Sequence, residues 1–169
     1  MSAIALQTIT VVDAVLGVMA ALSPTHELEG NRGYFVDAIN TWAGSPLGSS
    51  WCLNVVHYAA AHAIGRKRWP LPINGSCDVL LKFARSAGIA HDRPKRGAIF
   101  LKLNPSDPDD ATHAGYCDSD ELLGGRFNTR EGNSNEDGSS NGTDIVEIER
   151  PRHAGERYVF VYWWELLIP

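Results

Sequence analysis

The sequence predicts an α+β fold, with N-terminal helices packed on a C-terminal antiparallel sheet of about five strands. Three observations carry this. Up to about residue 87, apolar residues recur at helical spacing between capping and stopping residues. From Gly97 onward, short apolar runs alternate with turn clusters such as Gly124-Gly125 and the run over residues 134–142. Consecutive strands joined by hairpin-like connections imply antiparallel pairing in sequence order, with the helices against one face or end. No repeat or linker divides the 169 residues, so residues 1–169 are expected to form a single domain with one core.

In chain order, Ile9, Val12, Leu16, Met19 and Ala20 predict a helix over residues 7–22, stopped by Ser23-Pro24 and packed on the domain. After a polar loop, Phe35, Ala38, Ile39 and Trp42 predict a second helix over residues 34–42. The run from Gly48 to Cys52 then leads into a third helix, reaching Ile64 before Gly65, with Ser49 or Ser50 as its cap. Asn74-Gly75-Ser76 caps a fourth, over residues 77–87. Strands are expected over residues 97–103, 112–118, 126–133, 143–149 and 157–165, with an exposed loop over residues 104–110.

Composition narrows the function classes. The net charge of −5, with basic residues scattered apart from Arg66-Lys67-Arg68, sets nucleic acid aside as a partner. Three cysteines are too few, and odd in number, for a disulfide scaffold, and they fit a reducing site of synthesis. No Lys or Arg precedes the apolar run of residues 3–22, and Gln7 and Asp13 interrupt it. That predicts neither a signal peptide nor a membrane span, and so synthesis in the cytoplasm without stable membrane insertion.

The chemistry centres on thiols and one histidine. Cys52 is placed in the first turn of its helix, where unpaired backbone N–H groups and the helix dipole favour thiolate. Cys77 starts a helix behind Ser76 in the same way, and local physics does not separate the two. A cysteine nucleophile needs a base and a group that orients the base. His57 and His62 lie at the wrong helical spacing from Cys52, and His26, His91 and His153 sit in loops beside charged residues. His113, in Ala111-Thr112-His113-Ala114-Gly115-Tyr116-Cys117, lies on a strand with small neighbours that leave room for a partner. Cys117, on the same strand about 13 Å along, is too far to be that partner. On the next strand Phe127, Thr129, Glu131 and Asn133 share one face, so Glu131 or Asn133 is placed to accept the His113 N–H. The three cysteines with His113 lack the short ligand spacing usual for zinc, and neither a metal nor another cofactor is expected.

Taken together, these residues resemble the CHAP family, the cysteine, histidine-dependent amidohydrolases/peptidases with a papain-like fold. Gly48-Ser49-Ser50-Trp51-Cys52 looks like that family's nucleophile segment, His113-Ala114-Gly115-Tyr116 its histidine strand, and Glu131-Gly132-Asn133 its third-residue segment. Glu29-Gly30-Asn31-Arg32-Gly33 and the stretch leading into the first strand, residues 94–100, also look similar to bacterial and phage members. The likeness spans residues 27–163. It implies Cys52 as nucleophile, His113 as base, Glu131 or Asn133 as orienting group, and Trp51 as a candidate substrate contact. Two departures stand out: residues 41–51 lack the acidic side chains with which some members bind calcium, and no Gln is present there to complete an oxyanion hole.

The resemblance further implies a peptidoglycan hydrolase that cleaves an amide bond, either muramoyl–alanine or within the peptide, at the cell wall or in the periplasm. An endolysin-like phage lysis enzyme is one form of it. The alternatives are a papain-like protease or deamidase acting on proteins, and a non-catalytic binding domain on the same scaffold.

Overall fold

The computed structural model describes residues 3–23, 25–152 and 155–167, with side chains from residue 7 onward. The expected stop at Pro24 and His153 lie outside the described residues. Four helices come first: α1 (Ala3–Ala21), α2 (Tyr34–Ala43), α3 (Cys52–Ile64) and α4 (Cys77–Ser86). The strands follow: β1 (Ala90–His91), β2 (Ile99–Asn104), β3 (Asp107–Cys117), β4 (Arg126–Ser134), β5 (Asp144–Pro151) and β6 (Arg157–Val161). They form one antiparallel sheet in the order β1-β6-β2-β3-β4-β5. The α+β class is as expected.

Several details differ from the sequence expectation. The sheet has six strands, because the two residues of β1 pair with β6. Pairing follows chain order from β2 to β5, but β6 returns to the far edge of β2 (Phe100↔Phe160) instead of extending from β5. Residues 104–110 are not an open loop: β3 starts at Asp107, since the β2–β3 hairpin closes through Pro105-Ser106. The last strand stops at Val161 and a 3₁₀ turn, Trp163–Leu167, replaces its expected end. On α2 the buried face is Val36, Ile39 and Asn40, and Ala38 is exposed. On α1, Val12, Val15, Leu16 and Met19 are buried while Ile9 faces solvent.

One buried apolar cluster runs from α1 through α3 and α4 into β2, β3 and β6 and ends at Trp164. It joins helices and sheet, because the apolar face of each has no other way out of water. Gly132 fixes how closely α3 approaches β4: a Cβ there would meet Trp51 and Val55 at 2.6 Å. Three histidines away from His113 have partners of their own. His26 pairs with Asp144 at 2.7 Å, and His91 lies 3.0 Å from Glu165 and stacks on Tyr162. His57 is buried, accepts the Trp69 indole N–H at Nδ1 (2.9 Å), and has its pKa lowered to about 4 by that burial. Among the described residues, no helix is long and apolar enough to cross a membrane.

Candidate active site

Cys52 is the first residue of α3, as expected, but the cap differs. Trp51 occupies the cap position with no side-chain hydrogen bond from it, so neither Ser49 nor Ser50 caps the helix. The turn is held from outside instead. Asn40 donates to the Ser49 carbonyl at 3.0 Å, and Asn54 donates to Asn40 Oδ1 and Ser45 Oγ at 2.8 and 2.9 Å. The Trp51 indole donates to Glu27 at 2.8 Å, and Glu27 in turn accepts the Asn31 backbone N–H. Trp51 is fully buried and its one donor is used on Glu27, which corrects its expected place as a substrate contact. It ties the segment leading into Cys52 to Glu27.

His113 lies on β3 opposite Lys102 of β2. The β3–β4 ladder is registered at Tyr116↔Arg130 and Cys117↔Thr129, and extending it places Gly115 opposite Glu131. A Cβ on Gly115 would lie 2.9 Å from the Glu131 Cβ and 2.7 Å from Phe100, so glycine there leaves the Glu131 side chain its space. From that position Glu131 reaches diagonally to His113, whose Nε2 lies 2.7 Å from Oε2, with both side chains fully buried.

Asn133, the other candidate, does not take that bond. A break in the β4–β5 register between Glu131 and Ser134, with Asn133 at φ +57°, turns it out of line. Its amide is buried and hydrogen-bonds no protein group. Of the two residues left open by the sequence, it is therefore Glu131 that contacts the imidazole.

Two further residues join the site, Arg150 without any sign in the sequence and Cys77 where the sequence offers it only as a rival to Cys52. Arg150, from β5, forks onto Glu131, with Nε to Oε1 at 2.6 Å and Nη2 to Oε2 at 2.5 Å, and it is only 3% exposed. Thr129 also donates to Glu131 Oε1. The second is Cys77, which lies near enough to Cys52 for each to shift the other's titration. Cys52, Cys77 and Cys117 are all free and buried.

These contacts set the protonation states. Cys77 holds the Cys52 thiol well below its ordinary value; burial opposes this, and His113 and the Ala114 backbone N–H reinforce it. Cys77 is pushed well above its ordinary value, first by the Cys52 sulfur and then by burial. Burial disfavours the charged form of His113, but Cys52 and Glu131 together outweigh it and raise its pKa to about 9. Burial likewise disfavours the Glu131 carboxylate, yet Arg150 and His113 bring it down to about 2. Glu131 holds Nε2, and Nδ1 is buried with no hydrogen bond of ordinary geometry, so Nδ1 is the ring nitrogen left open to Cys52. Such contacts are often long before substrate tightens them. Both shifts act in the same sense, toward a thiolate at Cys52 and an imidazolium at His113. No family model matches the chain, and neither does any curated protein or solved structure.

The pair has a measurable signature. Alkylation of Cys52 by iodoacetamide is expected to stay fast as pH falls from 9 through 7, whereas an ordinary thiol slows about tenfold per unit below about 8.5. Mass mapping of the labelled cysteine at each pH checks this. A rate at Cys52 that tracks an ordinary thiol would refute the ion pair.

A cleft of about 350 Å³ lies between the two segments that lead into α3 and α4; Cys52, His113 and Glu131 are not part of its lining. Ser49 and Ser50 wall one side and Asn74, Gly75 and Ser76 the other, with Ser45 at the end and no charged side chain in the lining.

Proposed function

We propose that the chain is a cysteine amidohydrolase of the CHAP type, built on a papain-like fold, that cleaves an amide bond in bacterial peptidoglycan. One observation carries the reading: a buried imidazole held at Nε2 by Glu131 at 2.7 Å, with its other nitrogen free of hydrogen bonds, in a fold that also sets a free thiol at a helix N-terminus. In this reading the Cys52 sulfur attacks the amide carbonyl and forms the C–S bond. The oxygen takes up the negative charge within reach of the Cys52 backbone N–H, in the unpaired first turn of α3. As the C–N bond breaks, His113 gives its proton to the leaving amine. It then takes a proton from the water that hydrolyses the thioester on Cys52. Glu131 keeps the ring's orientation throughout, and Arg150 keeps Glu131 ionised.

The substrate class rests on the resemblance of the three motifs, supported by the uncharged cleft, which suits a peptide stem or bridge of small residues. At net charge −5 the domain has no electrostatic pull toward an anionic wall. It therefore works where it is delivered close to the wall, as a phage lysis enzyme or an exported effector would be.

Zymography of the purified protein against sacculi and against casein tests the assignment. Clearing of sacculi alone is the expected result, and mass spectrometry of the released muropeptides then names the bond. Casein digestion without clearing would move the chain to a papain-like protease. Inertness toward both, with a Cys52 that alkylates like an ordinary thiol, would make it a binding domain.

A further inference from the structure

Cys77 has no part in the mechanism above, yet the fold brings it to the nucleophile from a separate helix. Two ties on either side of it set its place. Gly75 lies against the first turn of α3: a Cβ there would meet Ser45 Oγ at 2.6 Å and Asn54 Oδ1 at 2.9 Å. Asp78 accepts the Ala111 backbone N–H at 2.7 Å, which fastens the first turn of α4 to β3 two residues before His113. Cys77 thus sits between a segment bound to α3 and a residue bound to the histidine strand. These ties bring its thiol beside Cys52, near enough for each to shift the other's titration, and both side chains are less than a tenth exposed. Cys117 lacks these ties, lying four residues beyond His113 on β3.

We propose that Cys52 and Cys77 form a dithiol modification site for two-electron oxidants of the peroxide class, which convert it to an intramolecular disulfide. The Cys52 thiolate attacks the peroxide, forming an S–O bond as the O–O bond breaks and hydroxide leaves. The Cys77 sulfur then attacks the resulting sulfenic sulfur. The S–S bond forms, the S–O bond breaks, and the departing oxygen leaves as water with the Cys77 proton. The peroxide is reduced and the two thiols are oxidised. Closing the bond brings the two sulfurs to about 2.05 Å. An external dithiol reverses the change. The disulfide removes the nucleophile while sparing its sulfur the irreversible sulfinic state, which suits a hydrolase that must stay intact until it is reduced.

The experiment treats the full chain with two or more molar equivalents of hydrogen peroxide, then alkylates it and maps the cysteine peptides by mass. The expected result is a loss of about 2 Da, a cross-linked Cys52–Cys77 peptide, Cys117 still free, and reversal by dithiothreitol. In Cys77→Ser, Cys52 is expected to gain about 32 Da instead, as the sulfinic acid. Wild-type protein in which Cys52 becomes sulfinic while Cys77 remains alkylatable would overturn the proposal. So would a disulfide through Cys117 or between molecules. The wild-type map needs no variant to fold, and it reads mass rather than hydrolysis. A disulfide in a protein inert toward sacculi would thus leave this inference standing and refute the hydrolase, and the converse pair of results would do the reverse.

Discussion

Cys52→Ala is expected to lower the rate of amide hydrolysis in purified sacculi by about 10⁴-fold or more, because no other group supplies the bond-forming atom. The fold should survive. Cys52 is a small buried residue whose neighbours keep their own partners: Trp51 holds Glu27, and Asn54 holds Asn40 and Ser45. Turbidity loss of a sacculus suspension measures the rate, and circular dichroism with a thermal melt checks folding. Activity retained in a folded Cys52→Ala protein would end the assignment. Cys77→Ala serves as the control, since its thiol lies beside the nucleophile without forming a bond to substrate. A loss in Cys77→Ala as large as in Cys52→Ala would move the nucleophile to α4.

Glu131→Gln is expected to act on rate and stability together. Without the carboxylate the imidazole loses the partner that fixes its tautomer, and hydrolysis should fall about 10²- to 10⁴-fold. Arg150 would be left buried with only the weaker influence of Glu156 as counter-charge, which costs up to about 3–5 kcal/mol. The pH dependence carries the same signature. The Glu131 pKa is depressed in the fold, from 4.5 to about 2. Its contribution to stability is therefore present above about pH 4.5 and is lost as pH falls toward 2. Denaturant melts should show that decline in the wild type and lack it in the variant. Adding Arg150→Met to Glu131→Gln removes the orphaned charge, so the double variant should recover much of the stability and none of the rate. Recovery of rate along with stability would show that the residue matters only for folding.

How far the site could be read from the chain depends on where each signal lies. The start of α3 at Cys52 and its stop before Gly65 are local, set by a Gly/Ser turn, an apolar run and a helix-ending glycine. His113 was readable because small residues flank it on a strand, and Glu131 because strand periodicity put it on the same face as Thr129. Arg150 gave no such sign. It ends a strand with Glu147 and Glu149, and nothing nearby distinguishes it from a surface arginine. Only the β4–β5 register carries it inward to Glu131. Glu27 was passed over in a polar loop, since its partner, the Trp51 indole, lies 24 residues away.

By itself, then, the sequence determined the α+β class, the helix starts and stops, and a short set of candidates, because caps, breakers and periodicity act over a few residues. The tertiary structure decided what depends on distant pairing. It returned β6 to the edge of β2, turned Asn133 out of line at a bulge, and so left Glu131 as the partner of His113. It also brought the thiol of Cys77 to that of Cys52, two helix starts that local physics made equal. The reason is the same in each case: burial and charge are properties of the space around a side chain, and chain segments far apart in sequence build that space.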